Sequence, residues 1–200
     1  MGVILGFDPG GRGAFGWCVS ADDSSLPLKV LVSGTCDAAE EAVVAACDAV
    51  PMGQEILSAG IDAPLVWPLR GSRIADKVLR RAIRERGAPS PGGTVQEVNS
   101  LRGACLVQGV LAAKAIRDRH AEIRITEAHP KALLFLLDAS YLCDFPQLVE
   151  HERDAALATI SGWACIHHPD GWSDLFQGMG DDVYHVIDPP VAYWMPIATS

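Results

Sequence analysis

Val3-Ile4-Leu5-Gly6-Phe7-Asp8-Pro9-Gly10-Gly11 is the stretch that decides the fold. Five apolar residues without alternation suit a strand buried on both faces, and an acid followed by Pro-Gly-Gly suits the turn that ends it. Working outward, residues 14–20 (Ala-Phe-Gly-Trp-Cys-Val-Ser) and 28–35 (Leu-Lys-Val-Leu-Val-Ser-Gly-Thr) read as second and third strands, the first two forming a hairpin around the Gly-rich turn. Residues 38–50 are rich in Ala and Glu and predict a helix stopped by Pro51. Glu55 to Asp62 predicts a fourth strand, closed by Ala63-Pro64. A basic helix is expected over 73–86, with Ile74, Val78 and Ala82 as a narrow apolar stripe holding it to the domain. A Gly- and Pro-rich loop follows at 87–93, then a helix from Ser100 to Arg119 and an alternating strand from Glu122 to Glu127. Helices at 130–138 and 146–164 come next, and Val183 to Ile187 reads as one more strand in an otherwise aperiodic tail. The order βββ-α-β-α-α-β-α-α predicts one α/β domain over residues 1–200. Its mixed β-sheet has a three-strand antiparallel start, further parallel strands and flanking helices. The core is expected at about 3–176 and an irregular extension at about 177–200.

Composition narrows the class. Of 200 residues, 49% are hydrophobic and 20% charged, which is globular rather than disordered. No apolar run reaches the 18 or so residues that a membrane span needs, and the first residues lack the basic start of a secretory signal, so a cytoplasmic location without membrane attachment is expected. The six cysteines are scattered among apolar residues with no C-x-x-C pair, the pattern of buried free thiols. The net charge of −9 is unevenly spread. Residues 70–131 hold 13 of the 16 Lys and Arg but only 6 of the 25 Asp and Glu, giving that stretch +7 and the remainder −16. Arg70, Arg73, Lys77, Arg80, Arg81, Arg84 and Arg86 crowd 7 cations into 17 residues, a candidate surface for a phosphate backbone. The alternative is that these cations pair with the acidic remainder and solubilise it.

Four acids stand where chemistry would put them: Asp8 ending the first strand, Asp62 ending the fourth, Glu127 ending the fifth, and Asp154 on the expected inner face of the last helix, three residues before Leu157 and four before Ala158. A carboxylate on such a face loses hydration worth on the order of several kcal/mol unless it is compensated. Several carboxylates meeting around divalent metal resolve the problem. Oxygen ligands suit Mg²⁺ or Mn²⁺, and neighbouring carboxylates hold two such ions about 4 Å apart. Each acid alone has an ordinary reading as a turn, cap or surface residue; the set carries the weight. Four weaker candidates accompany it. The turn Gly10-Gly11-Arg12-Gly13 could cradle phosphate on its N–H groups but lacks a P-loop ending. His151, His167 and His168 are candidate metal ligands without an obvious fourth, and His129 beside Glu127 is a candidate acid/base. Trp17, Trp67, Trp163 and Trp172 read as core or loop anchors, and Trp67 beside Arg70 could also stack on a base.

Four blocks resemble the predicted RNase H-like nucleases, a family catalogued as a domain of unknown function and related in fold to the Holliday-junction resolvases. They are Gly6-Phe7-Asp8-Pro9-Gly10 with Gly16-Trp17, Ile61-Asp62-Ala63-Pro64-Leu65, Thr126-Glu127-Ala128-His129-Pro130-Lys131, and Glu152-Arg153-Asp154-Ala155-Ala156-Leu157-Ala158. Further likeness runs through Arg73-Ile74-Ala75-Asp76 and Asn99-Ser100-Leu101-Arg102-Gly103, and the whole covers about residues 3–176. The resemblance implies an RNase H-like fold and a metal-dependent hydrolase of nucleic acid, with Asp8, Asp62, Glu127 and Asp154 as catalytic metal ligands for two Mg²⁺ or Mn²⁺ ions. Arg70, Arg73, Lys77, Arg80, Arg81 and Arg84 would bind the substrate. One departure is Arg153, where the family often carries a second acid. A non-catalytic binding or scaffold protein on the same fold stays open, as does an actin-like nucleotide-binding phosphotransferase, although 200 residues hold only one such domain. DNA versus RNA, and monomer versus homodimer, also stay open.

Overall fold

The computed structural model describes residues 2–68, 72–96, 103–142, 148–177 and 183–197. Strands β1 (Gly2–Asp8), β2 (Phe15–Ala21) and β3 (Val30–Cys36) form an antiparallel meander. Helix α1 (Ala39–Asp48) carries the chain across the sheet so that β4 (Glu55–Ile61) lies parallel to β1. After β5 (Val66–Pro68), α2 (Ile74–Glu85), the single turn α3 (Pro91–Thr94) and α4 (Gly103–Arg119), strand β6 (Arg124–Glu127) joins parallel to β4. The five strands run in the order β3-β2-β1-β4-β6. Helices α5 (Pro130–Leu136) and α6 (Glu150–His167) and short strands β7 (Ser173–Asp174), β8 (Val183–His185) and β9 (Trp194–Met195) complete the described chain. The expected mixed α/β sheet is therefore present. No helix among the described residues is long and apolar enough to cross a membrane.

Strand β1 is central because it is apolar on both sides: Val3, Leu5 and Phe7 meet α1 and α4, while Ile4 belongs to the core around α6. Helix α6 is buried without a break from Asp154 to Cys165, since the sheet covers one side and α5 and the tail cover the other. Its approach to the sheet depends on missing side chains. A Cβ on Gly6 would stand 1.9 Å from the carbonyl oxygen of Ala155, and one on Gly60 1.9 Å from that of Ala158. Gly6 and Gly60 are register partners on β1 and β4, so together they open one trough for the helix backbone. Buried hydroxyls then pin it: Ser58 Oγ donates to the Gly162 carbonyl at 2.8 Å and Thr159 Oγ1 to Ser20 Oγ at 3.0 Å.

Two expectations change. Helix α2 buries Ala75, Asp76, Leu79 and Ile83 rather than Ile74, Val78 and Ala82; Ile74 faces outward. Both stripes have helical spacing, and a buried ion pair at Asp76, which an apolar pattern does not register, decides between them. The tail is also no loose extension. β6 is the sheet edge, and the tail covers its backbone: the Glu127 N–H donates to the Ala192 carbonyl at 2.9 Å and the Ala192 N–H to the Ile125 carbonyl at 3.0 Å. Tyr193 and Met195 consequently lie fully buried in the core. The five cysteines among the described residues are free; Cys143 lies outside them.

Candidate functional site

Parallel strands β1 and β4 end side by side. The Asp62 N–H extends their ladder by donating to the Phe7 carbonyl at 2.9 Å, which sets Asp62 beside Asp8. Helix α6 enters this end of the sheet with His151 and, one turn on, Asp154. Gly16 lets it in: a Cβ there would stand 2.1 Å from the His151 carbonyl oxygen. Three aspartates from two strands and one helix thus converge.

Their electrostatics report the convergence. Burial raises Asp62 well above the ordinary carboxylate range, and the charges of Asp8 and Asp154 push it further; Lys131 offsets part of this. Asp8 is raised too, by burial and by Asp154, against the hydrogen bond to His151. His151 Nδ1 lies 2.7 Å from Asp8 Oδ2 and stays partly exposed. Arg153 Nε and Nη2 donate to Asp154 Oδ1 at 3.0 and 2.8 Å. His129 Nδ1 is 3.8 Å from Asp62 Oδ1, beyond a hydrogen bond, and donates instead to the Ala128 carbonyl at 2.8 Å. Burial lowers the His129 pKa below that of a free imidazole, against the charge of Asp76.

Glu127, the fourth expected ligand, ends β6 as read, but its carboxylate is already taken. Arg73 Nη1 donates to Oε1 at 2.7 Å and to Oε2 at 2.9 Å, and the Val66 and Leu65 N–H groups also donate to Oε1, the former at 3.0 Å. The other side of the same guanidinium grips Asp76, with Nε to Oδ2 at 3.0 Å and Nη2 to Oδ1 at 2.7 Å. The rings of Phe176 and Tyr193 each lie 5.6 Å from the guanidinium carbon. Arg73, Asp76 and Glu127 are all fully buried. Burial lifts Glu127 to about 7, while Arg73 pulls it down. Arg73 is therefore corrected from a phosphate-binding residue to the centre of a buried triad. Reading it as a surface cation followed from its basic neighbours; the signal for the triad was the i,i+3 spacing of Arg73 and Asp76 at a helix start.

Of the other expected substrate-binding cations, Lys77, Arg81 and Arg84 are exposed on α2, Arg80 is half-buried, and Arg70 lies outside the described residues. Arg81 Nε reaches Glu85 at 3.0 Å. The histidine set does not assemble: His151 and His167 sit at opposite ends of α6, His167 Nε2 lies 2.6 Å from Asp22, and His168 packs on Trp194. The Gly10–Gly13 turn is the β1–β2 hairpin, and its Gly13 N–H donates to a carboxylate, Asp37, at 2.8 Å. Among the described residues, no group of three or more His, Cys, Asp or Glu side chains is already gathered in metal-ligating geometry. The three aspartates still fit a hard cation in kind: all are oxygen donors, and two of them have charged forms disfavoured by their surroundings. Comparison with known proteins found no matching family model, no matching curated protein and no matching solved structure.

Proposed function

We propose that the chain is a divalent-cation-dependent phosphodiesterase acting on nucleic acid, built on an RNase H-like sheet. The observation that carries this reading is the meeting of Asp8, Asp62 and Asp154 at the ends of adjoining parallel strands, where Asp8 and Asp154 both raise the pKa of Asp62. The strand order β3-β2-β1-β4-β6, with β2 antiparallel and β4 parallel to β1, supports the RNase H-like assignment. Asp8, Asp62 and Asp154 would hold Mg²⁺ or Mn²⁺, which when bound supplies a Lewis acid for the phosphate and lowers the pKa of an attacking water. His151 fixes the Asp8 carboxylate through Oδ2, and Arg153 fixes Asp154 through Oδ1. Exposed Lys77, Arg81 and Arg84 draw the anionic backbone toward the site. With Glu127 bound to Arg73, three aspartates form the primary ligand set, and a second ion would depend more on substrate oxygens and water.

The test is cleavage of a panel of DNA and RNA oligonucleotides with Mg²⁺ or Mn²⁺. Cleavage is expected to disappear in chelator and in Asp8→Asn; activity surviving either change overturns the reading. The engagement of Glu127 by Arg73 and of Asp154 by Arg153 favours a second reading, a non-catalytic nucleic-acid-binding protein. Oligonucleotide binding without cleavage under any divalent ion selects it.

A further inference from the structure

Strands β5 and β8 form a two-stranded antiparallel ribbon apart from the main sheet, with Val66 opposite His185, Trp67 opposite Tyr184 and Pro68 opposite Val183. Alternation gives it two faces. Val66 is buried and Val183 partly buried against the core that contains β1 and β4, so that face turns inward. Trp67 and Tyr184 occupy the other face. Trp67 packs into neither hydrophobic core, and Tyr184 is 60% exposed. Trp67 is half-buried and Tyr184 mostly exposed, so the two register partners present aromatic surface on this outer face.

The root of the ribbon is fixed to the buried Arg73–Glu127 pair, and its chain is short from there to Asp62. Val66 donates its N–H to Glu127 at 3.0 Å and accepts from Arg73 Nη1 at 3.1 Å through its carbonyl. Trp67 follows Asp62 by five residues, so at most about 17 Å of extended chain separates them. Beyond β5 the chain enters α2, which exposes Lys77, Arg81 and Arg84. An aromatic ribbon whose chain continues into a cation-bearing helix suits unpaired nucleobases on a phosphate backbone, because every base offers a π-face and every linkage a negative charge.

We infer that Trp67 and Tyr184 form a stacking platform for unpaired bases, so that the chain engages a single-stranded stretch of nucleic acid next to the three aspartates. This inference rests on the nucleic-acid reading above and narrows its substrate class. Duplex ends and flaps qualify only through their unpaired bases.

The test measures binding of labelled oligothymidylate, oligouridylate and a duplex of equal length to the full chain in chelator, by fluorescence anisotropy. Changing Trp67→Ala together with Tyr184→Ala is expected to weaken binding of both single strands about tenfold or more, with a much smaller change for the duplex. Trp67→Phe with Tyr184→Phe keeps a π-face at each position and is expected to retain most of the single-strand affinity. Intrinsic tryptophan fluorescence should be quenched by oligothymidylate, and Trp67→Phe should reduce that quench. Oligouridylate responding like oligothymidylate assigns the platform to bases of either sugar. No single-strand binding by the wild-type chain, an equal loss for single strand and duplex, or Phe variants as weak as the Ala pair overturns the inference. So does a self-associated wild type that the Ala pair converts to monomer without loss of oligonucleotide affinity, since the ribbon then joins two copies. Cleavage in Mn²⁺ is read separately. Stacking without cleavage removes the nuclease and keeps the platform. Cleavage with unchanged affinity in the Ala pair removes the platform and keeps the nuclease.

Discussion

Asp76 and Glu127 divide one arginine between them, and each of their four carboxylate oxygens is bonded. Asp8, Asp62 and Asp154, at the ends of the adjoining strands and on the helix beneath, receive a partly exposed histidine, a histidine beyond hydrogen-bond reach and a partly exposed arginine. Both groups contain carboxylates that repel one another; in the first, Arg73 offsets the charge of Asp76 on Glu127, whereas in the second Asp8 and Asp154 raise Asp62, and Asp154 raises Asp8, with no buried cation between them among the described residues. Closed bidentate geometry makes the first a structural clasp joining β5, β6 and α2. Incomplete compensation makes the second a place where an added cation would relieve strain in the charge distribution. The difference teaches that burial of an acid does not mark function; the distribution of counter-charge does.

The most severe way to break this contrast is Arg73→Ala, which strands two carboxylates in the core. A loss of about 3–5 kcal/mol in urea unfolding is expected, and a loss near zero would mean that the clasp is not structural. Gly6→Ala should follow, costing about 1–3 kcal/mol because its Cβ drives α6 off the sheet. That change should disturb the three aspartates and leave the clasp, which α6 does not supply, intact. Loss of a divalent-ion response without loss of the folded state would show it.

A milder effect of opposite sign is expected for Asp62→Asn. A carboxyl with a raised folded pKa binds its proton more tightly when folded, so stability is greatest while it is protonated and declines as pH rises through the raised value. For Glu127 that window runs from the ordinary 4.5 to about 7, and Asp8 and Asp62 act in the same direction. The wild-type chain should therefore lose melting temperature across this range, and Asp62→Asn should lose less, melting a few degrees higher at neutral pH. Millimolar Mg²⁺ or Mn²⁺ should raise the wild-type melting temperature by binding the folded form, and Asp62→Asn should abolish that rise. An unchanged wild-type melting temperature would count against the metal site. The smallest effect on stability, within about 0.5 kcal/mol, is expected for Lys77→Ala, Arg81→Ala and Arg84→Ala together. The same triple variant should bind single-stranded oligonucleotide more weakly, with a salt dependence flattened by about 0.7 for each phosphate that it no longer neutralises.

Much of this was legible locally. The apolar runs of β1 and β4, the Pro-Gly-Gly turn and the Pro51 stop are short-range signals, and from them the mixed sheet and the strand-end positions of Asp8, Asp62 and Glu127 follow. Asp154 was readable because its spacing from Leu157 and Ala158 gives it a helix face. The rest depends on contacts between residues far apart in sequence. Arg73 and Glu127 are 54 positions apart, and Asp8 and His151 are 143. Whether Glu127 is a free ligand or a clasped one is a question of which donor reaches it first, and no pattern within β6 answers that. The glycines were visible as residues, but their use as a trough appears only when Gly6 and Gly60 are brought level and α6 is laid across them. Likewise, Trp67 could be singled out in the sequence, whereas its partner Tyr184 is supplied by pairing across 117 positions. Periodicity and turn chemistry act over a few residues, so the main strands and helices were readable in the sequence, whereas short β5, β7, β9 and the single turn α3 were not. Which acids receive a full counter-charge and which face one another was settled by the packed fold, because Coulombic and hydrogen-bond energies depend on distance in space.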